Sequence, residues 1–323
     1  MLQILFIPLF IVVVGGNHAV VGNYSQLNTP LCGLRRVRHS IDSDCLVWHH
    51  METPSLTHAR NGTLGDAPWT VLIMLITINH LSPTPTPTIW FTCTGTILTP
   101  KWILTVAHCF EDKLDAEIYY VYYGYNYTHN KQLLNQLDNN YSRGKHYYMH
   151  PNYTNAGNSG FVNDIGLLEL QTEIPVQTDG DYYVTNSICL PARDAILSTD
   201  SEYLLMAGYG YPYIILGYIP VQFSIRQIDI TNNDNNNTDI TDNNKIDNKL
   251  VIKHKSIHAG IVCKGDSGSG LWQYMDEKAV LIGVHSNSLR FDLRVNCTAH
   301  PNIGYAVRVS KYIDWILNYI YTK

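Results

Sequence analysis

The sequence predicts an all-β protein, a barrel or sandwich of short strands, closed by one C-terminal helix. Three observations carry this. From Trp69 onward, short runs rich in β-branched and aromatic residues alternate with turn residues, the spacing expected when strands follow one another through short connections. With 45% hydrophobic and 15% charged residues, the 323-residue chain has enough apolar material for a core and is neither wholly disordered nor a multispan membrane protein. The last segment differs from everything before it, repeating apolar residues at helical spacing.

Taken in order, Leu2 to Val14 is an apolar run of 13 positions, short of the roughly 20 that cross a bilayer. It reads as the apolar part of a signal peptide over residues 1–16, with Gly16 at the cut. Seven N-x-S/T triplets (Asn23, Asn61, Asn126, Asn140, Asn152, Asn236 and Asn296) agree with a secreted, extracellular glycoprotein. Residues 17–55 hold Cys32, Cys45 and the basic cluster Arg35, Arg36, Arg38 with little periodicity, and read as a pro-segment. Expected strands are Thr70 to Ile78, Ile89 to Leu98, Lys101 to Leu104, Ile118 to Tyr123, Asp164 to Leu170 and Val280 to His285. Pro83, Pro85 and Pro87 mark a stiff surface loop, and Thr231 to Lys249 is an Asn- and Asp-rich loop. Ile313, Ile316, Leu317 and Ile320 give the amphipathic helix, with Ser310 as its expected N-cap.

The net charge of −5 lacks the basic excess that attracts phosphate backbones, so nucleic acid is not an expected partner. No membrane contact is expected once the signal is removed. The cysteines show no C-x-x-C spacing, so neither a metal nor another cofactor is expected.

Three segments carry chemistry. Thr105-Val106-Ala107-His108-Cys109 offers an imidazole, Asn163-Asp164-Ile165-Gly166 places an acid at the mouth of an apolar run, and Gly265-Asp266-Ser267-Gly268-Ser269-Gly270 surrounds a serine with glycines. A serine hydroxyl is a poor nucleophile at neutral pH and needs an imidazole to take its proton; a buried carboxylate holds that imidazole in the right tautomer. Glycines beside the serine leave backbone N–H groups open toward a developing oxyanion.

These segments resemble the chymotrypsin-like (trypsin-fold, S1) serine proteases, whose order is His, Asp, Ser. The resemblance covers roughly residues 56–321 and includes Gly65-Asp66-Ala67-Pro68-Trp69, Cys93 to Leu98, Trp102 to Cys109, Ile188-Cys189-Leu190-Pro191, Ala207-Gly208-Tyr209-Gly210 and Arg308 to Trp315. It implies two six-stranded antiparallel β-barrels with a C-terminal helix, over about 56–178 and 179–323. It implies His108 as general base, Asp164 as its orienting acid and Ser267 as nucleophile, with the N–H groups of Gly265 and Ser267 as the oxyanion hole. Ser286 falls where the family keeps a serine supporting the acid. The resemblance also pairs Cys93 with Cys109 and Cys263 with Cys297. It makes Cys189 the tether of the pro-segment, with Cys45 the preferred partner, Cys32 the alternative, and a Cys32–Cys45 loop a third arrangement.

Two features depart from the family pattern. Counting back from Pro68 places the activated N-terminus at Leu56, after Ser55, a poor copy of the usual cleavage sequence. A Leu56 ammonium would pair with Asp266, the acid preceding the nucleophile. The pocket floor six residues before Ser267 is Ile261, with walls at Ser288 and Gly304, which argues for an apolar residue before the scissile bond because a buried cation would lack a partner. Arg290 or Arg294 reaching the site would instead favour acidic residues. The expected function is that of a secreted serine endopeptidase acting on protein or peptide substrates, with protease inhibitors and an activating protease as partners. The competing reading is a non-catalytic protease homologue with a binding or regulatory role. An α/β-hydrolase esterase fails on residue order.

Overall fold

The computed structural model describes residues 21–36, 60–61, 65–78, 87–111, 118–124, 140–156, 160–195, 204–210, 224–230, 248–254, 265–275, 277–288 and 303–323. Strands β1 (Arg60–Asn61), β2 (Thr70–Ile78), β3 (Pro87–Thr99), β4 (Trp102–Thr105), β5 (Tyr119–Tyr122), β6 (Tyr141–Met149), β7 (Thr154–Asn155), β8 (Phe161–Val162) and β9 (Gly166–Leu170) come first. Strands β10 (Gln177–Asp179), β11 (Tyr182–Thr185), β12 (Leu204–Gly208), β13 (Ser224–Ile230), β14 (Lys249–His254), β15 (Gly270–Met275), β16 (Lys278–Ser288) and β17 (Ile303–Arg308) follow, and helix α1 (Ile313–Thr322) ends the chain.

Strands β2-β3-β4-β9-β6-β5 close into an antiparallel barrel. Every residue of β4 and β9 is buried, so neither strand alternates apolar with polar positions, and the one charged residue, Glu169, pairs with Lys145 at 2.7 Å. Pro87 opens β3 opposite Ile78, at the end of the ladder, where a missing N–H costs least. Pro83 and Pro85 lie outside the described residues, as does most of the Asn- and Asp-rich loop.

The second half is a seven-stranded antiparallel sheet in the order β1-β13-β12-β15-β16-β17-β14, with an additional β13–β14 pairing. The largest buried cluster runs through both halves, and Trp69 meets Trp272 edge to face at 5.3 Å inside it. Helix α1 buries Ile313, Ile316 and Leu317 and returns to the barrel, where Tyr319 packs on Tyr148 of β6 at 4.5 Å. Ser310 does not cap it. That residue sits in a 3-10 turn over Val309–Lys311, its hydroxyl directed to the Ala195 carbonyl, and Tyr312 occupies the cap position without a side-chain bond to the helix backbone.

Residues 21–36 form a belt docked on the domain. Tyr24, Leu27, Cys32 and Leu34 are buried; the Gly22 N–H donates to Leu190, Gly33 to Ser187, Ala279 to Gly33 and Tyr183 to Arg35. The Asn28 side chain donates to Leu190 O and accepts from Leu190 N–H, and Arg35 pairs with buried Asp66 at 2.9 Å. The disulfide holding the belt joins Cys32 to Cys189, which corrects the preference for Cys45. Gly33 explains why: it lies so close to Ala279 that a Cβ there would meet the Ala279 backbone at 2.4 Å, and this close approach seats the neighbouring Cys32 against Cys189. Cys93 joins Cys109 as expected. Cys45, Cys263, Cys297 and residues 1–20 lie outside the described residues.

Candidate active site

His108 sits in a 3-10 turn, Ala107–Phe110, that follows β4 and is tethered through Cys109 to Cys93 on β3. Asp164 precedes β9, and its backbone is turned by Asn163, which holds φ at 49°. The Tyr312 hydroxyl donates to Asn163 Oδ1 at 2.8 Å, while Asn163 Nδ2 donates to Asn152 O at 2.9 Å, so both ends of the amide are anchored. Burial pushes the Tyr312 phenol up to about 12, keeping it a donor at neutral pH.

These supports bring the imidazole and the acid together. The backbone N–H of His108 donates to Asp164 Oδ1 at 2.9 Å, and Nδ1 lies 2.7 Å from Oδ2. The carboxylate side chain is 1% exposed, so this contact acts in a low-dielectric setting where a charge-assisted bond is strong. Ser286 on β16 donates its hydroxyl to the same Oδ2 at 2.5 Å. Nδ1 so held carries the proton, which leaves Nε2 as the basic nitrogen. Phe161 on β8 lies flat against the imidazole, with ring centres 4.7 Å apart and an angle of 14°.

Ser267 arrives from the other half of the molecule. Its carbonyl accepts from Thr94 N–H at 2.8 Å, and Gly268 N–H donates to His285 O at 2.8 Å, one residue before Ser286. Gly268 has φ +87°, and a Cβ there would come 2.0 Å from Thr94 O and 2.1 Å from Thr105 Oγ1; glycine alone fits this contact. Gly265 likewise has φ +99°. Asp266 is fully buried against Gly208 and Gly210, where a side chain at either position would strike its carboxylate at 2.3 and 2.2 Å.

Ser288 and Gly304 face each other as register partners on β16 and β17. A Cβ on Gly304 would approach Ile252 Cγ1 to 2.9 Å. Ile261 and Leu56 lie outside the described residues. A cavity of about 200 Å³ borders Asp164 and Ser286 between Phe161, Lys249 and Tyr305, room for one amino-acid side chain. Cys93, His108 and Cys109 cluster closely, but both sulfurs are committed to the disulfide, which leaves a single imidazole nitrogen as a metal donor. The sequence reading missed Phe161, Thr94 and Tyr312; Thr94 is one of five threonines on β3, so its hydroxyl carried no signal of its own.

A closed antiparallel barrel, a second antiparallel sheet and a His-to-Asp pair set where they meet define a chymotrypsin-like serine protease fold. The family model described as Trypsin matches residues 60–316, and the chain belongs to that family. It is 25% identical over 246 residues to a urokinase-type plasminogen activator of Gallus gallus, covering 72% of this chain and 52% of that protein. It is 27% identical over 259 residues to coagulation factor XI of Bos taurus, covering 78% of this chain and 36% of that protein. A U21-ctenitoxin-Pn1a of Phoneutria nigriventer is 26% identical over 247 residues, with 69% of this chain and 86% of the toxin covered. The chain thus spans about half the length of the first of these relatives and about a third of the second. No helix among the described residues is long and apolar enough to cross a membrane.

Proposed function

We propose that the protein is a secreted serine endopeptidase that cleaves peptide bonds through an acyl-enzyme. The observation carrying this reading is the buried Asp164 carboxylate, bonded to both the backbone and Nδ1 of His108. In this reading Ser267 Oγ attacks the carbonyl carbon while His108 Nε2 takes its proton. The N–H groups of Gly265 and Ser267 face the oxyanion, and the imidazolium returns the proton to the departing amine. Water then repeats the sequence on the ester, releasing the acid and restoring Ser267. Asp164 keeps Nδ1 protonated throughout and stabilises the imidazolium.

The β13–β14 pairing joins the second sheet back on itself around β12, β15, β16 and β17, which supports reading that half as the counterpart six-stranded barrel over about 179–323. Residues 1–16 are read as a signal peptide, 17–55 as a pro-segment and 56–323 as the protease domain. Ile261 favours an apolar residue before the scissile bond, and an activating protease and protease inhibitors are the further partners. The test is labelling of the processed protein with a fluorophosphonate, with Ser267→Ala as control. Labelling and peptide hydrolysis that both vanish in the variant support the endopeptidase. A parent chain that stays unlabelled favours the non-catalytic homologue.

A further inference from the structure

Thr94 lies on β3, in the barrel, and yet is bonded to two residues of the serine-bearing turn, Gly265 and Ser267. It is fully buried. Its hydroxyl donates to Gly265 O at 2.9 Å and accepts from Tyr209 N–H at 2.9 Å. Its own N–H donates to Ser267 O at 2.8 Å. Its carbonyl accepts from the Thr105 hydroxyl at 2.8 Å, three residues before His108, and abuts Gly268. A hydroxyl has one proton to give and lone pairs to receive; here both functions are used on buried backbone groups.

The carbonyls of the two residues whose N–H groups face the oxyanion are thus held by one side chain and its own amide. The peptide plane that carries the Ser267 N–H lies between the two planes held in this way, and its own carbonyl, that of Asp266, accepts from Ser269 N–H at 3.0 Å. We propose that Thr94 is a positioning residue that keeps the oxyanion turn in shape whether or not the chain has been cut. In the uncut chain Leu56 is an internal residue and has no ammonium to offer Asp266; the Thr94 contacts need none. The proposal deepens the endopeptidase reading and rests on it for the role of the turn, but not for the turn's shape.

Thr94→Val keeps the volume, the N–H and the carbonyl and removes the hydroxyl, whereas Thr94→Ser keeps the hydroxyl. Two measurements on the uncut, full-length protein are paired: amide exchange at Gly268 and Ser269, whose N–H groups donate to His285 and Asp266, and the fluorophosphonate labelling rate per folded molecule. Losing one oxyanion donor outright costs on the order of 10²–10³ in rate, so a misaligned donor is expected to slow labelling about 10-fold. Thr94→Val should show that slowing together with about 10-fold faster exchange, and Thr94→Ser should restore both. Unprotected amides at Gly268 and Ser269 in the uncut parent overturn the proposal without any variant. So does a Thr94→Val protein that melts earlier but exchanges and labels like the parent. A parent that is labelled neither uncut nor after the cut at Ser55 ends the endopeptidase reading, and exchange in Thr94→Val still decides the clamp.

Discussion

Ser286 and His108 converge on a single oxygen, Asp164 Oδ2, from opposite halves of the molecule, at 2.5 and 2.7 Å. Oδ1 is taken by the His108 backbone N–H. A carboxylate held by three donors cannot rotate without breaking one of them, and the imidazole it orients is fixed in consequence. The second half of the molecule therefore supports the His108–Asp164 pair as well as carrying the Ser267 turn.

Ser286→Ala removes one of those three donors and leaves a buried charge less satisfied. A hydrogen bond to a charged group contributes about 1.5–3 kcal/mol, so kcat/KM on a peptide substrate should fall about 10- to 100-fold, with the loss in kcat. A change confined to KM would show that the hydroxyl serves substrate binding instead.

Much of this site was legible because its chemistry is local in the chain. His108, Asp164 and Ser267 each lie in a short segment whose composition announces a role, and β2 begins and ends where its apolar run does, at Thr70 and Ile78. What could not be read depends on contacts between distant segments. Phe161 looks like any loop aromatic until β8 lays it on the imidazole. The sequence favoured Cys45, and it is Cys32 that the belt's backbone packing against Ala279 and Leu190 brings to Cys189. Ser310 has the residue type of a cap, but the 3-10 turn before α1 shifts the helix start past it.

The docked belt predicts a stability cost for cutting its anchor. Cys32 and Cys189 are 157 residues apart, and a bridge closing so long a loop typically contributes about 2–4 kcal/mol by restricting the unfolded chain. Cys32→Ser combined with Cys189→Ser should lower the Tm by several degrees while leaving the His108–Asp164 pair in place. An unchanged Tm would mean that the belt's hydrogen bonds and the Arg35–Asp66 pair hold it unaided.

The expected substrate choice rests on the proposed place of Ile261 in the specificity pocket. In the proposed reading Ile261 gives the pocket an apolar floor, and a Lys or Arg side chain would bury its charge there without a partner, at a cost of a few kcal/mol or roughly 10²- to 10³-fold in kcat/KM. Chromogenic peptides differing only in the residue before the scissile bond should rank apolar side chains first. Arg as the best substrate would reject this assignment, and Asp or Glu as the best would point to Arg290 or Arg294.

Activation is the last expectation, and register gives it reach. Asn61 pairs with Ser224, and Ser224 with Gly208, whose backbone abuts the Asp266 carboxylate. Two strand spacings put Asn61 roughly 10 Å from Gly208, and the five residues back to Leu56 extend up to ~17 Å. A cut after Ser55 therefore frees an ammonium with enough chain to arrive at Asp266, where a buried carboxylate gains from a cation. The cut protein should start at Leu56, run as one species without reductant and as two with it, because Cys32–Cys189 keeps the belt attached. Its labelling should exceed that of the uncut chain, and Asp266→Asn should erase the gain while leaving the uncut rate. Cut and uncut proteins labelling at the same rate would remove the ion pair from the mechanism, leaving the turn to its contacts with Thr94.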